Sequence, residues 1–218
     1  MPFNTTALNL MLDALDEGAA SGITHIGIGG AGDPGSGTNY AGAAEASGGS
    51  YARQSVTWGA AASGVKANSN ALTFNMPAGT WLYFLLFSAS TGNTSVYKGY
   101  FPFGGSVLRK GFAAIDSTLA NDQLICPGHG LSDGNQVIVY NTTGGALATG
   151  LTEGTVYYVV SGGVNTFKLS ATLGGSPVDI TGAGNGSLFW QQVVPESLGS
   201  PGTFTVDIGA LALDLTGV

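Results

Sequence analysis

The chain has 218 residues and a net charge of −7, and only 9% of its residues are charged, against about 25% in ordinary soluble domains. Its six basic residues, Arg53, Lys66, Lys98, Arg109, Lys110 and Lys168, are scattered, so the cationic footprint needed to neutralise phosphates or an anionic membrane surface is missing, and neither nucleic acid nor membrane is an expected partner. A single cysteine, Cys126, excludes an intrachain disulfide, and with His25 and His129 it falls short of the roughly four ligands of a closed zinc site.

The 37 glycines and the Ser, Thr, Asn and Ala that surround them give a surface kept polar by hydroxyls, amides and backbone. That is common in subunits packed into assemblies. The longest apolar run, Trp81 to Phe87, has the length of a strand rather than of the roughly 18 residues that span a bilayer. No basic segment followed by an apolar stretch opens the chain, so no signal peptide is expected.

One helix is predicted. From Asn4 or Thr5, Leu8, Leu12 and Leu15 recur at helical spacing with Met11 on the same side, a capping Asn or Thr before them and Gly18 after. Asp13, Asp16 and Glu17 stand at the end where the helix dipole disfavours acids, so packing of the apolar stripe must hold it. Strands are then expected at Ile23–Ile28, Gln54–Trp58, Ala71–Met76, Thr80–Ser88 and Thr94–Tyr100, with a long Gly-rich loop at 29–50. Thr80–Ser88 is apolar on both faces and reads as a central strand buried on both sides.

From Arg109 to Gln192 the pattern changes to short strands between Gly-rich turns: Gln136–Tyr140, Thr155–Val160, Thr166–Ser170, Val178–Ile180 and Leu188–Gln191. This reads as a small β-barrel inserted into the first domain. After Pro195 the earlier alternation returns, with Phe204, Val206 and Ile208 on one face and Leu211, Leu213 and Leu215 following at a period of two. The expected fold is all-β: a β-sandwich of 1–108 plus 193–218 with one N-terminal helix, and an inserted small β-barrel domain at 109–192.

Two motifs invite a catalytic or nucleotide reading and fail on context. Gly27-x-Gly29-x-x-Gly32 spells a dinucleotide fingerprint, but Asp33-Pro34-Gly35 follows where a helix is required, and the nearest acid is Glu45 inside the long loop. Gly130-Leu131-Ser132-Asp133-Gly134 spells a nucleophile elbow, but a strand follows instead of a helix and no histidine lies beyond His129. Asp116, Asp122, Asp133, Glu153, Asp179 and Glu196 lack the aromatic cleft of a glycosidase pair and read as solubilising charges. Trp58, Trp81 and Trp190 sit at strand positions and read as core. The aromatic cluster Tyr97, Tyr100, Phe101 and Phe103 reads equally as core or as the seat of a subunit contact. No residue is assigned a catalytic, cofactor or metal role.

The stretch from Gly48 to Gly92, with Asp33-Pro34-Gly35, Gly48-Gly49-Ser50-Tyr51-Ala52-Arg53, Val56, Trp58, Asn68, Ala71, Phe74 and Pro77, resembles a family of small tailed-phage structural proteins labelled tail fibre or minor tail proteins. Gly202 to Leu215 is similar to that family's closing strands. HGLSDGNQVIVY, GTVYYVV and NTFKLSAT in the inserted segment are similar to a small β-barrel common in phage tail proteins, a fold shared with the first catalytic-cysteine half-domain of ubiquitin-activating enzymes. That likeness is one of scaffold only, and gives Cys126 no catalytic role.

The resemblance implies a non-enzymatic virion component without cofactor, acting through contacts with other tail or capsid proteins. A homo-oligomer, trimer or dimer, is expected from the low charge and the poorly defended strand edges. Placement in the tail or fibre, a capsid decoration or cement role, and a carbohydrate-binding module reading a host-surface glycan remain the alternatives.

Overall fold

The computed structural model describes residues 5–15, 22–30, 45–104, 109–111, 113–114, 121–141, 145–185 and 188–214. These residues are all-β apart from one short helix, α1 (Thr5–Asp13). The chain runs through β1 (His25–Gly30), β2 (Gln54–Ser55), β3 (Val65–Ala67), β4 (Leu72–Met76), β5 (Gly79–Phe87) and β6 (Tyr97–Pro102). It continues through β7 (Arg109–Gly111), β8 (Ala113–Ala114), β9 (Leu124–Ile125), β10 (Gln136–Asn141), β11 (Val156–Val160), β12 (Thr166–Ser170) and β13 (Leu188–Val193). It ends with β14 (Glu196–Leu198), β15 (Gly202–Val206) and β16 (Ala212–Asp214). Two compact units result: 1–30, 34–101 and 196–218 form one, and 31–33 with 102–195 form the other.

In the first unit β5 is central. It pairs antiparallel with β1 from His25↔Phe87 to Gly30↔Trp81, and with β14 at Glu196↔Trp81, while β6 also pairs with it. Its side chains from Trp81 to Phe87 are buried except for the half-buried Phe84, as expected of a strand covered on both faces. β4 alternates as expected, with Leu72, Phe74 and Met76 inward and Thr73 and Asn75 outward.

The C-terminal strands return to the N-terminal ones. β14 joins β5, β15 joins β4 through Phe204↔Phe74, and β16 joins β3 through Leu213↔Lys66. Asn68 fastens this return. Its buried side-chain amide donates to the carbonyls of Asn70 and Asp207 and its Oδ1 accepts the Leu211 N–H, at 2.7, 2.9 and 2.9 Å. Gly209 N–H also bonds the Asn68 carbonyl. The inward alternation stops at Val206: Ile208 was expected on the same face as Phe204 and Val206 but is 68% exposed, because the chain has turned at 207–210 to reach Asn68. Leu211 and Leu213 are buried, and Leu215 lies outside the described residues.

The helix differs most from expectation. It is shorter, and Leu10 and Met11 face outward, whereas Leu12 is fully buried. Polar groups one turn apart share the docking with Leu12: Asn9 Oδ1 accepts the Gly64 N–H, and Asp13 Oδ1 accepts the Ala61 N–H and the Lys66 ammonium at 2.7 Å. The acid at the disfavoured end of the dipole is thus held by a buried lysine, 3% exposed. Two strands start two or three residues later than expected: β1 at His25 and β6 at Tyr97. Gln54–Trp58 shortens to β2, although Val56 and Trp58 are both buried as expected.

The second unit is a single sheet with the order β7-β13-β10-β11-β12-β9-β8. Its two outermost members, β7 and β8, are separated in sequence by Phe112 alone. Consecutive Cα atoms are about 3.8 Å apart, so the two ends of this strand order are held together by covalent geometry. Val137, Val139, Tyr157, Val159, Phe167, Leu169 and Trp190 alternate inward to form its core. Val178–Ile180 was expected as a strand but, among the described residues, makes single bonds only, Val178 N–H to the Leu169 carbonyl and Ile180 N–H to Asp122 Oδ1. Pro177 just before it has no N–H to extend a ladder.

Replacing Asn68 with Ala should leave three backbone groups without partners and lower stability by about 3 kcal/mol, whereas Ile208→Ser should change it by less than about 0.5 kcal/mol. Urea melts of the two variants check this. The Asp13 carboxyl is held below its ordinary value of 3.8, by the Lys66 hydrogen bond first and the Ala61 N–H next. A depressed carboxyl pKa stabilises the fold above the unfolded value and loses that contribution as pH falls through the folded one. Asp13→Asn should therefore flatten the acid limb of a melting-temperature profile below about pH 4.

Candidate functional site

β1 is rich in glycine, and the consequence is a strand with little side chain over it. A Cβ on Gly27 would lie 2.9 Å from Phe87 Cε2 and 3.0 Å from both Glu45 Oε1 and the Tyr51 hydroxyl. The space above Gly27 is therefore already occupied, by the segment 45–53. Gly48 and Gly49, at φ of +93° and +61°, take the left-handed turn that side chains with a Cβ resist. The chain comes back extended, so that Tyr51 and Arg53, two residues apart, point the same way.

Those side chains form one polar cluster. Arg53 Nε and Nη2 each donate to a different oxygen of Glu45 at 2.8 Å, and Nη1 reaches the Ala89 carbonyl at 3.4 Å. The guanidinium carbon lies 3.4 Å above the centroid of the Phe87 ring, a cation–π contact. The pair is 7% and 13% exposed, so the bidentate geometry operates where water screens it weakly. The Tyr51 hydroxyl accepts the Ile28 N–H at 2.8 Å and donates to Glu45 Oε1 at 3.2 Å. Burial first, and then the Glu45 carboxylate, push the Tyr51 phenol above its usual range, so it remains protonated and keeps donating. Backbone pairing at Gly29↔Glu45 and Ala46 N–H to the Ile28 carbonyl completes the attachment. The cluster's polar atoms are aimed at one another. The arrangement is a clamp that fixes Glu45 beside Gly29, and it presents no group poised to attack or to transfer a proton.

The other residues singled out in the sequence are dispersed. Gly27 and Gly29 belong to β1, and Gly32 lies outside the described residues, as does Asp116. In the Gly130–Gly134 turn, Ser132 N–H bonds Asn135 Oδ1, Asp133 Oδ1 accepts the Gly162 N–H, and Gly134 takes φ +88° into β10. Cys126 is buried and receives the Trp190 indole N–H at 3.4 Å. His129 is buried against Phe167 and its Nδ1 accepts the Leu131 N–H, while Nε2 has no partner among the described residues. His25 sits in the first unit with Nδ1 at 2.9 Å from Thr24 Oγ1. Among the described residues no three His, Cys, Asp or Glu side chains gather as a metal site would need. Trp58, Trp81 and Trp190 are all buried. The aromatic cluster divides: Tyr97 and Phe103 are buried, Tyr100 meets Tyr83 edge-on at 5.3 Å, and Phe101 is exposed.

Sequence reasoning found Tyr51 and Arg53 as part of a motif but missed Glu45 as their partner. The signal was present as the one charged residue between Pro34 and Ala52, eight residues before Arg53. Residues 9–103 match a family model described as podophage GP4 fiber I protein gp80. That match contains the whole clamp and stops before the second unit's sheet begins at β7. It supports a structural role in a phage fibre and a place in the virion. No curated protein and no solved structure matches the chain.

Removing one partner of a buried ion pair leaves the other charge uncompensated, so Arg53→Ala and Glu45→Ala should each cost about 3 kcal/mol. The double variant should cost clearly less than their sum, because the two share one interaction. A double-mutant cycle by chemical denaturation checks both. Gly27→Ala should destabilise as well, since neither the Phe87 ring nor the clamp can yield without breaking a contact.

Proposed function

We propose that this chain is a structural subunit of a tailed-phage virion, placed in the tail or fibre apparatus, whose work is to hold other virion proteins rather than to catalyse. The match of residues 9–103 to a podophage fibre protein carries this reading. The clamp supports it: its charged groups face inward and serve to brace a loop against a sheet. The three tryptophans are core, so they offer no platform to a glycan.

Residues 109–192 are, in this reading, a separate small barrel inserted into the fibre-like unit. The supports are the strand order that begins and ends with neighbouring segments and the hydrophobic core that this unit has to itself. The return of β14, β15 and β16 to strands of the first unit makes the insertion point a place where the chain leaves and comes back.

Two experiments test the proposal. Deleting 111–192 and joining the ends by a short glycine linker should give a folded protein by circular dichroism and limited proteolysis; an unfolded product counts against the insertion. Electron cryomicroscopy of particles should show the chain in the tail or fibre. Density on the capsid shell would replace this reading with a decoration role, and particles lacking the protein altogether would remove it.

A further inference from the structure

Asn185 is the one asparagine in the chain that a glycine follows. It is exposed, and it stands just after Gly184, at φ +74°, on the way into β13. Three bonds fix it in the second unit. Its N–H donates to the Ala146 carbonyl at 2.9 Å, its Oδ1 accepts the Ala146 N–H at 2.7 Å, and its own carbonyl accepts from Asn141 Nδ2 at 2.5 Å. Gly145 makes room for this, since a Cβ there would collide with both oxygens of Asn185.

Both carbonyls of one residue thus carry a donor, and each donor has a chemical effect. The Ala146 N–H draws electron density from Cγ through Oδ1 and stands ready to stabilise negative charge on that oxygen. Asn141 draws density from the main-chain carbonyl, which is conjugated with the Gly186 nitrogen, and so makes that N–H a stronger acid. Covalent structure alone keeps this nitrogen within reach of Cγ, because joining the two closes a five-membered ring. Glycine adds no side chain to hinder the closure. We infer that Asn185 is a self-modifying site at which the next peptide nitrogen displaces the side-chain amide, and that Asn141 is the positioning residue that activates it.

Hydroxide takes the proton of the Gly186 N–H. The nitrogen forms a bond to Asn185 Cγ, the Cγ–Nδ2 bond breaks, and Nδ2 leaves as ammonia after taking a proton from water. Water then opens the ring at either carbonyl, to aspartate or to isoaspartate at position 185. One water enters, one ammonia leaves, and the chain gains one negative charge on its −7. Isoaspartate carries the main chain through Cγ and lengthens it by one carbon, three residues before β13, the strand that places Trp190 in the core. The bonds of 185 to Asn141 and Ala146 then no longer fit, and the second unit loosens as the protein ages. None of this depends on the virion reading.

The purified full chain, kept folded in mildly alkaline buffer and sampled over days by peptide mapping, should convert at Asn185 ahead of every other asparagine. Asn141→Ala removes the donor on the main-chain carbonyl and should slow that conversion by about threefold or more, the effect of one hydrogen bond. Asn141→Asp removes the donor with less change of shape, and serves if the alanine variant does not fold; urea melts show which variants are folded. The converted fraction, separated by its extra charge, should unfold at a lower urea midpoint than fresh protein. Conversion that is absent at Asn185, or no faster there than elsewhere, overturns the site. So does a chain cut after Asn185 in place of deamidation, which would make Nδ2 the nucleophile. An undiminished rate in the folded Asn141 variants overturns the role of Asn141, and equal urea midpoints overturn the loosening.

Discussion

The first unit depends on how the bare strand β1 is covered. A strand with glycine at 27, 29 and 30 has too few side chains to make its own layer. The cover comes from Glu45, Tyr51, Arg53 and Phe87, which meet over Gly27. Each contributes what the others lack. Phe87 gives an apolar floor, Arg53 lies on it and neutralises Glu45, and Tyr51 ties the group to the Ile28 N–H. Any Cβ at position 27 would displace this arrangement, so the glycine is required by what lies above it and not by its own backbone angles.

Charge is used sparingly, and part of it is spent on ion pairs within the first unit. Arg53 and Lys66, two of the six basic residues, are committed to Glu45 and Asp13. Few cations then remain to solubilise the exterior or to guard strand edges, and the exposed positions of β4 and β15 are Thr, Asn and Gly. The same composition would expose a free-standing monomer to uncontrolled association.

The second unit is ordered differently: its strand order starts and finishes on segments separated in sequence by one residue. Its strands are short, at most six residues, and the core depends on a few large side chains. Trp190 is central, edge-on to Phe167 at 6.1 Å and bonded through its indole nitrogen to Cys126. Cys126 is thereby a packing residue that also accepts the Trp190 indole N–H.

The all-β class, the central position of β5 and the inward faces of β4, β10 and β12 were legible in the sequence, because alternation and continuous apolar runs report burial directly. The strand that follows Gly130–Gly134 in place of a helix was legible too, since strand-forming residues come after that turn. What only the tertiary structure decided are the pairings made at long range by polar atoms. Asn68 with Asp207 and Leu211, Asp13 with Lys66, and Glu45 with Arg53 join residues up to 143 apart. Hydrophobic periodicity carries no information about them, because a buried amide or carboxylate looks in sequence like a surface one. The outward turn of Ile208 has the same origin: the pattern called for one more inward residue, and the hydrogen bonds of Asn68 bent the chain away first.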